Sequence, residues 1–169
     1  ATSYVDERLG TGLTALGRAA VEEMNRLHVI PDVSHASEAT TLDVVATSRA
    51  PVLLSHGSCR ALLPHPRAAT DRMIRAVAGS GGIFGVFMMS FWLTEEAEPR
   101  TEHLVAHLRH AVDVAGIEAV GIANDYPMEG LRGPGGEAWD NALHMDAYRS
   151  WWENNRARGI PGFGPMPTH

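Results

Sequence analysis

The chain has 169 residues, of which 44% are hydrophobic and 20% charged, a composition typical of a folded globular domain rather than a disordered segment. Its formal net charge of -6 argues against a nucleic-acid surface, which would need clustered Lys and Arg. No apolar stretch reaches the roughly 18 residues of a membrane helix, and the one cysteine, Cys59, cannot form an internal disulfide. These properties leave the compartment open, with the cytoplasm as the default expectation.

In chain order, helix signals alternate with short apolar strands. Hydroxyl side chains at three positions, Thr14, Ser37 and Thr70, can cap helices by accepting backbone N–H bonds, and Thr101 opens a fourth helix. The predicted strands that follow these helices lie at 29–33, 52–54, 82–88 and 119–123. Gly116 is expected to end the fourth helix.

Each predicted helix has an apolar side that should face the sheet. These sides comprise Leu16, Ala20, Met24 and Leu27, then Leu42, Val45 and Ala46, then Met73, Ile74 and Val77, and last Leu104, Val105, Leu108 and Val112. Three histidines, His103, His107 and His110, share another side of the fourth helix. We interpret that side as a solvated face rather than a metal site, and we interpret Cys59 as a buried or incidental thiol.

The alternation of helix and strand predicts an α/β fold with a parallel sheet, either a barrel or a doubly wound sheet. Four helix–strand units are half of an eightfold barrel, which typically needs about 250 residues, so we expect a truncated chain. Residues 1–127 are expected to form the partial barrel that carries the metal and substrate residues. Residues 128–169, a Gly/Pro-rich loop, a Trp-rich helix near 138–156 and a final loop, are expected to belong to the same domain.

Two histidines stand just after predicted strands, His35 after the first and His56 after the second. Polar residues at the carboxyl ends of parallel strands point into the mouth of a barrel, where that architecture keeps its chemistry. Imidazole suits zinc, and a catalytic zinc site commonly has three protein ligands. The pair therefore predicts a metal site. For either histidine alone, a buried ring satisfied by backbone groups is the alternative.

Several short motifs occur in a fixed order along the chain. They are Gly12-Leu-Thr with Gly17, Glu23-Met-Asn-Arg-Leu, Asp32-Val-Ser-His, Ser48-Arg-Ala-Pro-Val-Leu-Leu-Ser-His, His65-Pro-Arg, Val114-Ala-Gly and Gly121-Ile-Ala-Asn-Asp. The segment 12–125 that contains them resembles the renal or membrane dipeptidase family, zinc metallopeptidases of the amidohydrolase superfamily. The resemblance implies a (β/α)8 barrel of the metal-dependent hydrolase kind, of which this chain holds about the C-terminal half.

The resemblance also implies roles for four residues. His35 and His56 match two metal ligands that, with a bridging carboxylate, hold one zinc of a two-zinc site. Arg67 matches the arginine that receives the terminal carboxylate of a dipeptide, for which a planar guanidinium is well suited. Asp125 matches an aspartate that contacts the substrate and handles the proton passing from the attacking water to the leaving amine.

The implied activity is zinc-dependent hydrolysis of dipeptides, including those with a D-residue in the second position, by a metal-bound hydroxide that attacks the peptide carbonyl. The implied assembly is a homodimer without nucleic-acid or membrane-spanning partners. The family's remaining ligands, a His-x-Asp pair and a glutamate, would lie before Ala1. His144 and Asp146 have that spacing, but they fall in the predicted helix after the barrel, and we reject them as the missing pair.

The chain departs from the family pattern at three places. His28 stands where a glycine is usual, Pro31 interrupts an aliphatic run, and Tyr126-Pro127 replaces the residues that commonly follow the aspartate. Two other functions stay open. One is another amidohydrolase activity, on N-acyl amino acids or lactones, because the barrel and metals would be shared. The other is a half-barrel that binds a partner and catalyses nothing, because it lacks the N-terminal metal ligands.

Overall fold

The computed structural model describes residues 10–89, 92–96, 98–125, 149–150 and 152–159. Helices and parallel strands follow one another in the first of two compact units. The elements are α1 (Ala15–Arg26), α2 (Glu38–Thr47), β1 (Leu54–Gly57), α3 (Asp71–Gly79), β2 (Phe84–Phe87), α4 (Thr101–Ala115) and β3 (Val120–Ala123), with a 3-10 turn at Ile117–Ala119.

The three strands form a parallel sheet in the order β1-β2-β3, which confirms the predicted parallel pairing. β2 and β3 pair without interruption from Phe84 opposite Val120 onward. β1 and β2 approach so closely at Gly85 that a Cβ there would lie 2.1 Å from the carbonyl oxygen of Ser55. Because the strands are parallel, their carboxyl ends share one edge, and loops that leave this edge can combine their side chains.

The predicted strand at 29–33 is not a continuous strand. It makes a single parallel bridge, Asp32 with Leu53, through hydrogen bonds from Val33 N to Leu53 O (2.8 Å) and from Leu53 N to Pro31 O (2.9 Å). Pro31 has no N–H to donate, which limits the ladder at this position. The segment still runs beside β1 and extends the parallel arrangement. β1 itself begins at Leu54, two residues later than predicted.

The three predicted helix caps are confirmed. The hydroxyl oxygens of Thr14, Ser37 and Thr70 accept hydrogen bonds from the backbone N–H three residues later, at 3.1, 3.2 and 3.2 Å. α4 begins at Thr101, as predicted, and Arg100 is its N-cap. There the ring of His103 accepts the Arg100 backbone N–H at 3.1 Å, so a histidine takes the part of a capping side chain.

The apolar side predicted for α3 is confirmed, since Met73, Ile74 and Val77 are all buried. The side predicted for α1 was wrong, and those predicted for α2 and α4 were right in part, because Val45, Leu104 and Leu108 are partly buried against the core. α1 buries Val21 and leaves Leu16 80% exposed, α2 buries Thr40, Thr41 and Val44, and α4 buries His107 and Ala111. Each of these helices has apolar residues on more than one side, so periodicity alone does not select the packed side.

α1 ends in a Schellman motif that places His28 in the left-handed region, with φ of 58°. The His28 N–H donates to Asn25 O (3.2 Å) and the Val29 N–H donates to Met24 O (2.8 Å), which is the hydrogen-bond pair of that motif. Glycine is the usual residue at this position because it has no Cβ to strain. The histidine therefore carries backbone strain at the end of α1.

The second compact unit contains helical residues at 149–150 and 152–157. The start of the helix predicted near 138–156, and the preceding loop, lie outside the described residues. Among the helices that the structure describes, none combines the length and apolar content that crossing a membrane requires.

Candidate metal centre

The structure brings the two strand-end histidines together. His35 Nε2 lies 3.1 Å from His56 Nε2, and the rings meet edge to face with centroids 5.1 Å apart. His56 lies within β1, and His35 follows the segment that runs beside it. Since β1 and this segment are parallel, both imidazoles project at the carboxyl edge, as the sequence predicted.

The donor set fits a zinc ion. Two nitrogens bound to zinc at about 2.0–2.1 Å with tetrahedral angles lie about 3.3 Å apart, close to the observed separation. Asp125 adds a carboxylate oxygen, and the ligand atoms of His35, His56 and Asp125 all lie within 4.8 Å of one another. Two imidazoles and a carboxylate are a common zinc donor set. These residues therefore form a candidate His/Asp metal site.

Asp125 reaches this site from the end of β3. It lies two residues after the strand ends at Ala123, and it is exposed to solvent. His144 and Asp146, which we rejected as ligands from their place in the sequence, lie outside the described residues.

Arg67 lies beside the histidine pair, on the loop after β1. Its side chain is buried, with 8% of the residue exposed, and its Nη2 donates a hydrogen bond to the His56 carbonyl oxygen at 3.0 Å. Phe87, the last residue of β2, lies against both residues. Its ring centroid is 6.0 Å from the Arg67 guanidinium carbon and 5.1 Å from the His56 ring centroid. A fixed cation therefore stands next to the candidate metal site.

His65 holds the backbone of this loop. Its Nδ1 accepts the Arg67 backbone N–H at 2.9 Å, and its ring meets the Trp92 ring edge to face at 4.8 Å between centroids. Burial and the charges of Arg67 and Arg60 lower the pKa of His65 to about 4. The ring is therefore neutral near neutral pH and acts as an acceptor toward Arg67.

A carboxylate behind the histidines joins the two segments that carry them. Asp32 Oδ1 accepts from the Ser34 hydroxyl (2.6 Å), the Ser34 N–H (3.0 Å) and the Ser55 N–H (3.2 Å), and Oδ2 accepts from the Ser55 hydroxyl (2.5 Å). Ser55 Oγ also lies 2.9 Å from His56 Nδ1, and Ser34 Oγ accepts the His56 N–H at 3.1 Å.

Sequence reasoning did not assign a role to this network. The signal was present, since a carboxylate and two hydroxyls stand immediately before the two histidines. Partial burial would raise the pKa of Asp32, but the hydrogen bonds from Ser34 and Ser55 outweigh it and lower the pKa. The ionised carboxylate is therefore the state that this network stabilises.

The interpretation of the α4 histidines as a solvated face was wrong. His107 is 1% exposed; its Nδ1 accepts the Cys59 N–H at 2.9 Å and its Nε2 donates to Leu93 O at 3.0 Å. His110 Nε2 lies 2.7 Å from Asp71 Oδ1. Burial, helped by the neighbouring His110 and His103, lowers the pKa of His107 although the Leu93 contact opposes this. The neutral ring thus links α4 to two loops.

Cys59 is confirmed as a buried thiol, with 0% exposure. Its Sγ lies 3.4 Å from the His107 carbonyl oxygen, at the same junction with α4. Burial, together with the charge of Asp71, raises the pKa of Cys59 to about 12. A thiol in this state has little thiolate and is a poor nucleophile.

Comparison with known proteins gives a consistent result. A sequence model of the membrane dipeptidase family, peptidase family M19, matches residues 1–140. Dipeptidase verJ of Clonostachys rogersoniana is 39% identical over 117 residues, and dipeptidase tcpJ of Claviceps purpurea (strain 20.1) is 39% identical over 119 residues. Each alignment covers 68% of this chain but 29% and 27% of those proteins, so the matched part spans less than a third of their length.

Two solved structures share the fold at 30% identity. One is a metallopeptidase from Rhodobacter sphaeroides liganded with a phosphinate mimic of the dipeptide L-Ala-D-Ala, with a TM-score of 0.64 over 83% of this chain and 41% of that chain. The other is an amidohydrolase from Pseudomonas aeruginosa, with a TM-score of 0.65 over 72% of this chain and 37% of that chain. The mixed α/β fold with a parallel sheet is therefore shared with metallopeptidases of this kind.

Proposed function

The chain belongs to the membrane dipeptidase family, and from this premise we propose that it supplies the metal-binding and carboxylate-binding part of a zinc-dependent dipeptidase. The observation that carries the proposal is the meeting of His35 Nε2 and His56 Nε2 at 3.1 Å, next to the buried cation of Arg67. A metal and a fixed cation in one site can bind the two ends of a small anionic substrate.

We propose His35 and His56 as metal ligands. When bound there, zinc would supply Lewis acidity, which polarises a scissile carbonyl and makes a water molecule acidic enough to attack at neutral pH. His35 and His56 supply two ligands for one ion, and the ligand atom of Asp125 lies within 4.8 Å of both. Two ions, as the resemblance implies, would need further ligands.

Arg67 is the proposed anchor for the terminal carboxylate of the dipeptide. Its burial and the hydrogen bond from Nη2 to the His56 carbonyl oxygen hold the guanidinium in one place. A planar guanidinium can grip a carboxylate with two parallel hydrogen bonds. Binding of the terminal carboxylate by Arg67 would place the peptide bond at a fixed distance from the histidine pair. This fixed distance favours short substrates.

Asp125 is the proposed catalytic residue and also contacts the substrate. Its exposed carboxylate at the end of β3 can accept a proton from the attacking water and deliver it to the amine that leaves. This role needs a carboxylate within hydrogen-bond reach of both groups. Its location near His35 and His56 supports the assignment.

The assembly follows the same premise. We propose that residues 1–127 form part of a (β/α)8 barrel and that residues 128–169 belong to the same domain. A homodimer is proposed from the family resemblance, and light scattering of the purified protein would test it. The three parallel strands and the bridge at Asp32 support the barrel, because adjacent strands of a barrel are parallel.

The test is to measure zinc content and hydrolysis together. We expect the purified protein to bind zinc, to hydrolyse dipeptides of the form Xaa-D-Ala, to lose activity on chelation and to recover it when zinc is restored. Protein that binds no zinc and turns over no dipeptide would support a half-barrel that binds a partner instead.

A second activity is favoured by the likeness to the amidohydrolase from Pseudomonas aeruginosa. The same residues could act on N-acyl amino acids, which also present a carboxylate to Arg67. Parallel assays with Xaa-D-Ala and N-acetyl amino acids separate the two. Higher kcat/KM for the acylated substrates would replace the dipeptidase proposal with this one.

A further inference from the structure

We propose that Asp32, acting through the hydroxyl of Ser55, is a positioning residue that fixes the tautomer of His56 and so aims its Nε2 lone pair at the metal position. The inference rests on the proposed function for its consequence, because it names the metal as what the lone pair serves. Its structural part concerns the chain's own hydrogen bonds and can be tested without a metal.

Ser34 and Ser55 both donate their hydroxyl protons to Asp32. A hydroxyl has one proton to donate. The Ser55 hydroxyl lies 2.5 Å from Asp32 Oδ2, and the Ser34 hydroxyl lies 2.6 Å from Asp32 Oδ1. An ionised carboxylate accepts but cannot donate, so both serine protons point to Asp32. The 2.7 Å approach of the two serine oxygens reflects their convergence on one carboxylate.

The Ser55 hydroxyl in turn fixes the position of the ring proton of His56. Because the Ser55 proton is committed to Asp32, Ser55 Oγ can only accept from His56 Nδ1, 2.9 Å away. Nδ1 therefore carries the ring proton, and Nε2 carries a lone pair. Ser34 Oγ adds a second restraint by accepting the His56 backbone N–H at 3.1 Å. Asp32 thus acts on both the ring and the backbone of His56.

His35 is the donor in its contact with His56. Since His56 Nε2 has a lone pair, the 3.1 Å contact between the two Nε2 atoms requires His35 to donate its own Nε2 proton. The two histidines therefore differ in the state of Nε2. His56 Nε2 already carries a lone pair that can bind a cation, whereas His35 Nε2 must first lose its proton. Ligand histidines elsewhere are commonly oriented in this way by an outer carboxylate.

The direct test is to record the ring-nitrogen signals of His56 by long-range proton–nitrogen correlation on metal-free protein at pH 8. We expect the Nδ1–H tautomer in the unsubstituted protein and in Ser55→Thr, which keeps the hydroxyl. We expect a mixture of tautomers in Ser55→Ala and in Asp32→Asn. An Nε2–H tautomer in the unsubstituted protein would overturn the inference and needs no variant.

The functional test is the zinc Kd, measured by competition with a chromogenic chelator. Loss of an outer hydrogen-bond partner of a ligand histidine typically weakens metal binding 10- to 100-fold, and we expect this for Ser55→Ala. Ser55→Thr should remain within about threefold. Asp43→Asn is the matched control, because Asp43 also accepts a backbone N–H from a distant segment, that of Leu13 at 2.8 Å, away from the histidines.

The two proposals fail in different ways. Unchanged zinc affinity and unchanged ring signals in Ser55→Ala would overturn the positioning role while leaving the metal site intact. If the unsubstituted protein binds no zinc, the proposed function fails, and the ring signals of the metal-free protein still decide the tautomer.

Discussion

His35 and His56 point their Nε2 atoms at each other, 3.1 Å apart, although the two residues are 21 positions apart in the sequence. Two separate contacts hold the segments that carry these rings close together. Parallel pairing of Asp32 with Leu53 sets the relative position of the two segments, and the Asp32 carboxylate ties them again at Ser55. The histidines are thus placed by the sheet before any ligand binds.

Replacing either histidine by alanine should abolish tight zinc binding. Each ring supplies one ligand nitrogen, so His35→Ala or His56→Ala should weaken the zinc Kd by more than about 100-fold, beyond what outer-residue changes cost. Competition with a chromogenic chelator measures the effect. His28→Asn is the control, because it replaces an exposed histidine with another residue that tolerates positive φ. Equal loss in the control would show that the zinc bound elsewhere.

Much of this site could be predicted from the sequence, because its signals are local. Histidines after apolar runs predict the edge of a parallel sheet, and hydroxyls before helices predicted the caps at Thr14, Ser37 and Thr70. The burial of His107 could not be predicted in this way. Its partners, the Cys59 N–H and the Leu93 carbonyl, lie 48 and 14 residues away in the chain, and nothing local shows that they meet the ring.

Arg67→Lys should impair substrate binding more than turnover. A lysine keeps the charge but cannot make two parallel hydrogen bonds to a carboxylate. Loss of a hydrogen bond to a charged group is worth about 1.5–3 kcal/mol, so KM for an Xaa-D-Ala dipeptide should rise roughly 10- to 100-fold while kcat changes little. Steady-state kinetics measure both constants.

A substrate without the carboxylate provides the control for Arg67. In the unsubstituted protein, the corresponding dipeptide amide should show a raised KM, because it lacks the carboxylate that the guanidinium binds. Arg67→Lys should then add little further loss with the amide. A full additional loss with the amide would mean that Arg67 acts on the fold and not on the carboxylate.

Stability should fall as the pH drops below about 6.5. Burial lowers the pKa of His107 in the folded protein, and it lowers the pKa of His65 to about 4, so the unfolded chain binds protons that the folded chain does not. The two neutral histidines contribute to the free energy of unfolding at pH values above about 6.5, the pKa of histidine in the unfolded chain. This contribution is lost as the pH falls toward the lower pKa values of the folded protein. Urea unfolding between pH 4.5 and 8 measures this dependence.

His107→Asn should make this pH dependence shallower. The amide oxygen can take over as an acceptor toward the Cys59 N–H, but it does not titrate, whereas loss of the Leu93 contact should cost about 1–3 kcal/mol at all pH values. An unchanged slope in the variant would show that other groups cause the acid sensitivity.

His28→Gly should stabilise the protein. A left-handed backbone costs a residue with a Cβ about 1–2 kcal/mol, and glycine loses about 0.5–1 kcal/mol in conformational entropy, so a net gain of roughly 0.5–1 kcal/mol is expected. The urea midpoint should rise without a change in slope. His28→Ala keeps the Cβ at φ of 58° and should bring no gain. A gain in both variants would locate the effect in the imidazole and not in the backbone.

The buried sides of α1 and α2 differ from those that the apolar periodicity predicts. Leu16 lies on the side of α1 that periodicity favours, yet it is 80% exposed, while Val21 packs inward. α2 buries Thr41 completely, at 0% exposure, in preference to Leu42. The sheet and the neighbouring helix select the packed side, and that choice depends on contacts distant in sequence.

The buried thiol at the junction with α4 can serve as a chemical probe of local opening. Cys59 is the one cysteine of the chain, so alkylation of the protein reports on a single place. A solvent-borne reagent can modify it when the packing over β1 and α4 separates. The rate of labelling would therefore report how often that layer opens.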